Sequence, residues 1–164
     1  MSTAGTSTTR SRSAVAVPEA WKRFLRAHSA LTRQMDADLI ASHGLTLSDY
    51  EVLLRLSQAP DQRMRRVDLA EGVLLTQSGI TRLLAGLEKA GWVERASCAS
   101  DGRVVYAQLT EAGRAKFRAA GRTHLEGIQA LFATHFSEAE LETLAALLGR
   151  LPLRAGDDEC GPGA

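Results

Sequence analysis

The chain has 164 residues, 45% of them hydrophobic and 24% charged, with a net charge of +1. That length suffices for one compact domain whose core needs neither disulfides nor a structural metal. No apolar run approaches the roughly 20 residues of a membrane-spanning helix, which excludes an integral membrane protein of the helical kind.

The opening MSTAGTSTTRSRSAVAVPE carries basic residues but no apolar stretch of signal-peptide length, so the product is expected to be cytoplasmic. The two cysteines, Cys98 and Cys160, imply no disulfide framework. Residues 1–17 and 154–164 are rich in small and polar residues without periodicity, and read as disordered tails around an ordered body at 18–153.

Pro18 suits the first turn of a long helix over about 18–44, on which Trp21, Phe24, Leu25, His28, Leu31, Thr32 and Met35 recur at three- and four-residue steps. Gly44 stops it. Thr46 and Asp49 form a capping box for a second helix, with Tyr50, Leu53 and Leu54 as its expected buried stripe. SQAPDQR reads as a turn on Pro60 and Asp61. A short helix follows at 66–73, with Val67, Leu69, Ala70 and Val73 facing inward.

Thr76 is an N-cap for the next helix, TQSGITRLLAGLEKAG, which Gly91 ends. Two short strands, Trp92–Arg95 and Val104–Leu109, flank a turn at Asp101-Gly102. Thr110 caps another long helix carrying Phe117, Leu125, Ile128, Leu131 and Phe132. Ser137 and Glu140 form a second capping box for a last helix with Leu141, Leu144, Leu148 and Leu151. The fold class is therefore mainly α with a small β-hairpin wing. The winged helix-turn-helix spans about 45–110, between helical regions at about 18–44 and 110–151.

A short helix, a tight turn, a second helix and then a hairpin is a plan that sets the second helix into the DNA major groove, which admits a helix and displays distinguishable base edges. At about 100° per residue, Ile80, Leu83, Leu84 and Leu87 fall on one side of the 76–91 helix. Ser78, Arg82, Ala85 and Lys89 fall opposite, flanked by Gln77 and Thr81. Gln77 suits an adenine edge and Arg82 a guanine. Ser78 and Thr81 serve base or phosphate, and Lys89 a phosphate. An exposed polar face alone is more often merely solvated; the hairpin after it, and the lack of acids on the first two turns, favour the reading face. On the wing, Arg103 suits the narrow minor groove with Asp101 orienting it, although an isolated Asp-Gly turn with an incidental arginine is the commoner meaning of such a pair.

These residues resemble the MarR family of transcription regulators over roughly 20–150. The strongest part is LTQSGITRLLAGLEKAGWVERASCASDGRVVYAQLTEAG, residues 75–113. It carries Leu87, Glu88 and Gly91, then Asp101 and Arg103, then Leu109, Thr110 and Gly113, in the family's L-E-x-x-G, D-x-R and L-T-x-x-G order. The resemblance implies a homodimer knitted by the terminal helices. It also implies a palindromic double-stranded DNA operator, with Arg103 in the minor groove and Gln77, Ser78, Thr81 and Arg82 lining the major groove. Thr76 opens that surface.

The chain departs from the pattern at the 66–73 helix, where a hydroxyl and an apolar residue usually stand and Arg66 and Val67 stand here. Either the cap is loosened, or Arg65 and Arg66 contact phosphate. Independently of the resemblance, the apolar stripes of the terminal helices exceed what a small winged lobe covers, and a two-fold dimer would bury them.

Relatives often release DNA on binding a small aromatic anion. Trp21, His28, Met35, Tyr50 and Asp68 are candidates to line such a site, against the commoner role of Trp and Met as core. No cofactor is implied. The histidines at 28, 43, 124 and 135 have no metal-ligand spacing with one another or with the cysteines, and Cys98 on the wing lacks evident cationic neighbours. No phosphate loop, nucleophile elbow, HExxH or dinucleotide glycine motif is present, so an enzyme is not expected. The rival is a winged protein-interaction or dimerisation module without DNA reading; acidic or apolar residues at 77, 82 and 103 would have favoured it.

Overall fold

A computed structural model describes residues 8–73, 76–97 and 105–151, with backbone alone for 8–15, Gln77 and Ser97. Asp101, Arg103, Cys98 and Val104 lie outside the described residues, as do residues 1–7 and the C-terminal stretch 154–164.

The elements run α1 (Thr8–His43), α2 (Leu47–Gln58), a 3-10 turn (Pro60–Gln62), β1 (Arg63–Arg65), α3 (Arg66–Gly72), α4 (Gln77–Lys89), β2 (Val93–Ser97), β3 (Val105–Leu109), α5 (Glu111–His135) and α6 (Glu138–Leu148). The fold is mainly helical, with a three-stranded antiparallel sheet in the order β1-β3-β2. The chain divides into two compact units, Met1–His124 and Leu125–Ala164.

Helix α1 begins ten residues ahead of the expected start, so residues 8–17 are helical and not an irregular lead-in, and Pro18 lies inside the helix. Proline removes one intrahelical donor, but its fixed φ is helical, and the alanines around it favour helix. At the other end Gly44 takes φ +64, the left-handed conformation that lets the chain turn. The Asp36 carboxylate of α1 accepts the Leu47 backbone N–H at 2.8 Å, satisfying one of the orphan donors at the start of α2. Thr46 and Asp49 close the expected capping box around it.

The buried stripe of α2 is Val52, Leu53 and Leu56, a shift of phase from the expected Tyr50, Leu53 and Leu54. Tyr50 packs instead at the edge of the core. The core continues through Leu39 and Leu45, Leu69 and Ala70 of α3, Ile80, Leu84 and Leu87 of α4, Val93, Ala107 and Leu109 of the sheet, and Ala120 of α5. Val67, expected inside, is 54% exposed. On a helix as short as α3 the 3.6-residue period leaves only Leu69 and Ala70 on the core side.

Strand β1 is not apparent in the sequence, because Arg-Met-Arg has neither β-branched nor aromatic residues. Backbone pairing to β3 makes it, with Arg63 opposite Gln108, Met64 opposite Ala107 and Arg65 opposite Tyr106. Met64 turns toward the core and both arginines turn out. The preceding turn holds Asp61 and Gln62 at φ +53 and +54, a region non-glycine residues seldom occupy. Asp61 is tied to Arg63 at 3.2 Å, and Gln62 accepts a hydrogen bond from Arg114 of α5.

In the second unit, the Glu140 carboxylate accepts from the Ser137 N–H at 2.9 Å and from its Oγ at 2.7 Å, opening α6 as the capping pattern predicts. Phe132 and Phe136 pack at 5.9 Å within the same unit.

The corner where α4 gives way to β2 is closed by α5. Gly91, at φ +76, reverses the chain, and the Thr110 Oγ1 donates to the Gly91 carbonyl at 2.7 Å. The same oxygen accepts the Gly113 N–H at 3.0 Å, so one hydroxyl both caps α5 and holds the turn. A Cβ on Gly113 would stand 2.0 Å from the Trp92 carbonyl oxygen. Gly113→Ala is therefore expected to destabilise the protein by about 1–3 kcal/mol or more, read as a lower midpoint in chemical denaturation, because backbone must move to admit a methyl group.

Candidate nucleic-acid interface

Helix α4 is seated by its back. Ile80, Leu84 and Leu87 are buried and Leu83 is half-buried, whereas Ser78, Thr81, Arg82, Ala85 and Lys89 are exposed on the other side. Thr76 caps the helix, its Oγ1 accepting the Gly79 N–H at 3.1 Å and lying 3.2 Å from the Ser78 Oγ. No acid occupies the first turn. The helix therefore presents the Thr76 and Ser78 hydroxyls at its dipole-positive end, a setting that suits an anion, with Arg82 further along the same exposed face. Lys89 sits on the last turn. Gln77 opens the helix, and its side chain lies outside the described residues, as do Asp101 and Arg103, which the sequence reading assigned to a wing.

The start of α3 shows where the two arginines at the departure from the family pattern stand. Arg65 stands at the N-cap without a side-chain cap bond, and its Nε donates to the Asp68 carboxylate at 2.9 Å. Its side chain is still 56% exposed. Arg66 is not a free cation at the surface: its guanidinium donates to the Glu88 carboxylate of α4, with only 18% of the Arg66 and 24% of the Glu88 side chain exposed. Arg66, one of the two arginines offered for a phosphate, thus stands in an ion pair between helices. Sequence reading missed that pairing, since the partners are 22 residues apart and only their opposite charges hinted at it.

The five effector candidates fall into different surroundings. Trp21 and His28 flank Phe24 in an exposed ladder along α1, with centroid separations of 6.1 and 6.4 Å. Met35 is buried. Asp68 is engaged by Arg65. Tyr50 lies against Phe117 at 5.5 Å and His124 at 4.9 Å. Sequence periodicity did not single out His124, whose Nδ1 is buried without a hydrogen-bond partner. Among the described residues no three His, Cys, Asp or Glu side chains gather as metal ligands, and no helix is long and apolar enough to cross a membrane.

A buried-backed helix with a polar outer face, preceded by a short helix and succeeded by an antiparallel sheet, defines a winged helix-turn-helix protein. A sequence profile of the MarR family matches residues 45–105. The HTH-type transcriptional repressor YetL of Bacillus subtilis is 31% identical over 111 residues, 68% of this chain and 66% of that protein. The crystal structure of AbsC, a MarR family transcriptional regulator from Streptomyces coelicolor, is 31% identical with a TM-score of 0.70, over 90% of this chain and 93% of that one. Sco3205, a MarR family regulator of the same organism solved in complex with DNA, is 26% identical with a TM-score of 0.72, over 80% and 82% of the two chains. The chain belongs to the MarR family of transcriptional regulators.

Two measurements bear on this lobe. Thr76→Ala is expected to cost about 1 kcal/mol of stability through loss of the α4 cap, with Thr76→Ser close to the parent in denaturant titration. Burial holds the His124 imidazole below its ordinary 6.5, so the unfolded chain takes up the proton first as pH falls. Stability present above 6.5 should therefore decline as pH drops through that value toward the depressed one. Melting temperatures at neutral and mildly acidic pH would show the decline, and His124→Gln should flatten it.

Proposed function

We propose that the protein is a cytoplasmic, sequence-specific regulator of transcription that reads double-stranded DNA with α4. The observation that carries this reading is the division of α4 into a buried back of Ile80, Leu84 and Leu87 and an exposed front of Ser78, Thr81, Arg82 and Lys89. Arg82 makes the bidentate guanine contact, and Gln77 pairs with adenine. Thr76, Ser78 and Thr81 serve nearby bases or phosphates, while Lys89 and Arg65 serve phosphates. On the wing, Arg103 enters the minor groove and Asp101 orients it.

The protein acts as a homodimer and repressor on a palindromic operator, with its two copies of α4 about 34 Å apart to reach successive major grooves. Exposed apolar side chains support a second copy: Val17, Trp21, Phe24 and Leu25 on α1, and Leu147 and Leu148 on α6. Its effector is a small aromatic anion. Tyr50, which already keeps aromatic company with Phe117 and His124, is the candidate best suited to stack against it.

Selection of bound duplexes from a random pool tests the reading directly: a palindromic consensus is expected, and enrichment of no sequence overturns it. On the selected duplex, Arg82→Ala should cost about 1–3 kcal/mol and relax preference at one position per half-site. Arg103→Ala should weaken binding mainly where the flanks are A·T-rich. Sedimentation at twice the chain mass would support the dimer.

A further inference from the structure

We infer that Arg66 and Glu88 form a tie that sets the angle at which α4 is presented, so that Glu88, an acid, is required for DNA binding. The inference rests on the DNA-reading function proposed above and names a positioning pair for it. Arg66 is the first residue of α3 and Glu88 lies on the last turn of α4. The chain already joins these helices between Gly72 and Gln77, at the end of α3 and the start of α4. The ion pair therefore links the two ends that this connection leaves apart, joining residues 22 positions apart in the chain. Two helices joined at one end alone keep a freedom to splay. A second attachment at the far ends removes it.

The pair is built for this and not for solvent. Both side chains are largely withdrawn from water, and the Arg66 Nε is buried with no hydrogen-bond partner, which leaves the Nη2 bond to Glu88 to hold the guanidinium. Removing either partner would leave a half-buried charge uncompensated, a far larger perturbation than losing a surface ion pair. Arg65 offers the contrast one residue earlier: it is more than half exposed, and its partner Asp68 is only three residues along the chain, in the first turn of the helix that Arg65 precedes. Of the two adjacent arginines, Arg65 is placed to meet a phosphate and Arg66 to hold α4.

The sign of one outcome separates this from ordinary electrostatics. Removing an acid near a polyanion normally strengthens binding, and removing a phosphate-contacting arginine flattens the salt dependence by about one counterion. A positioning pair does neither. The experiment measures affinity for the duplex selected by the wild-type protein across a salt series, using Glu88→Gln, Arg66→Gln, the double variant and the exchange R66E/E88R.

Both single variants should bind about tenfold more weakly with an unchanged salt slope. The double variant should be no weaker than either single one, and the exchange should recover affinity. Far-ultraviolet circular dichroism and melting curves identify any variant that fails to fold. For such a variant Arg66→Lys and Glu88→Asp take its place, with the same expectation of weaker binding at constant slope.

Glu88→Gln or Glu88→Asp binding as tightly as the parent, or more tightly, overturns the tie while leaving the DNA reading intact. So does a slope that falls by about one on losing Arg66, which would make it a phosphate contact. Failure of the wild type to select any duplex removes the DNA reading itself, and the tie with it.

Discussion

Burial of one row of α4 governs everything the lobe can present. Ile80, Leu84 and Leu87 are spaced at a helical period and are all almost completely removed from water. Once they are fixed in the same core as Leu53, Leu56 and Leu69, rotation of the helix about its axis is settled. Ser78, Arg82 and Lys89 then have only the outer side to occupy. Burying three such side chains contributes on the order of 1.5–3 kcal/mol each, far more than any exposed polar contact would gain by turning inward. The chemistry of the outer face is thus a by-product of oil packing on the inner one.

The residues that carry the family resemblance acquire physical reasons at the end of that helix. Gly91 supplies a left-handed turn, and Thr110 bonds to the carbonyl of Gly91 while capping α5. Gly113 lets α5 approach the Trp92 carbonyl more closely than any side chain permits. Glu88, the acid of the L-E-x-x-G pattern, receives the Arg66 guanidinium. Lys116 lies 4.8 Å over the Trp92 ring and adds a cation to the same corner. The motif is therefore largely a device for locking α4 against β2 and the start of α5.

Sequence reading succeeded where a signal was local. The Thr46–Asp49 and Ser137–Glu140 boxes, the Thr76 cap and the two faces of α4 are each written within a few residues, and each is found. It failed where the cause was distant. Strand β1 exists through its ladder to β3, some forty residues on, and its own Arg-Met-Arg carries no strand propensity. The buried phase of α2 is set by the neighbours that surround it, and these cannot be read from its own twelve residues. Four of the five effector candidates, Trp21, His28, Met35 and Tyr50, are large apolar or aromatic side chains on helices, a property of core, exposed ladder and cluster edge alike, and the fifth, Asp68, is an acid taken up by Arg65. What separates the four is the packing of other elements around each, which their own spacing does not encode.

The turn from Pro60 to Gln62 leads into a strand only three residues long, in which Met64 alone faces the core. Side chains alternate across a strand, so adding or deleting a single residue in this turn would carry an arginine inward and the methionine out to water. Most surface connections drift in length as proteins diverge, because their ends are indifferent to how many residues lie between them. This one is held to a count. A change in its length would have to be matched by new residues at 63 to 65 for the apolar side chain to stay inside.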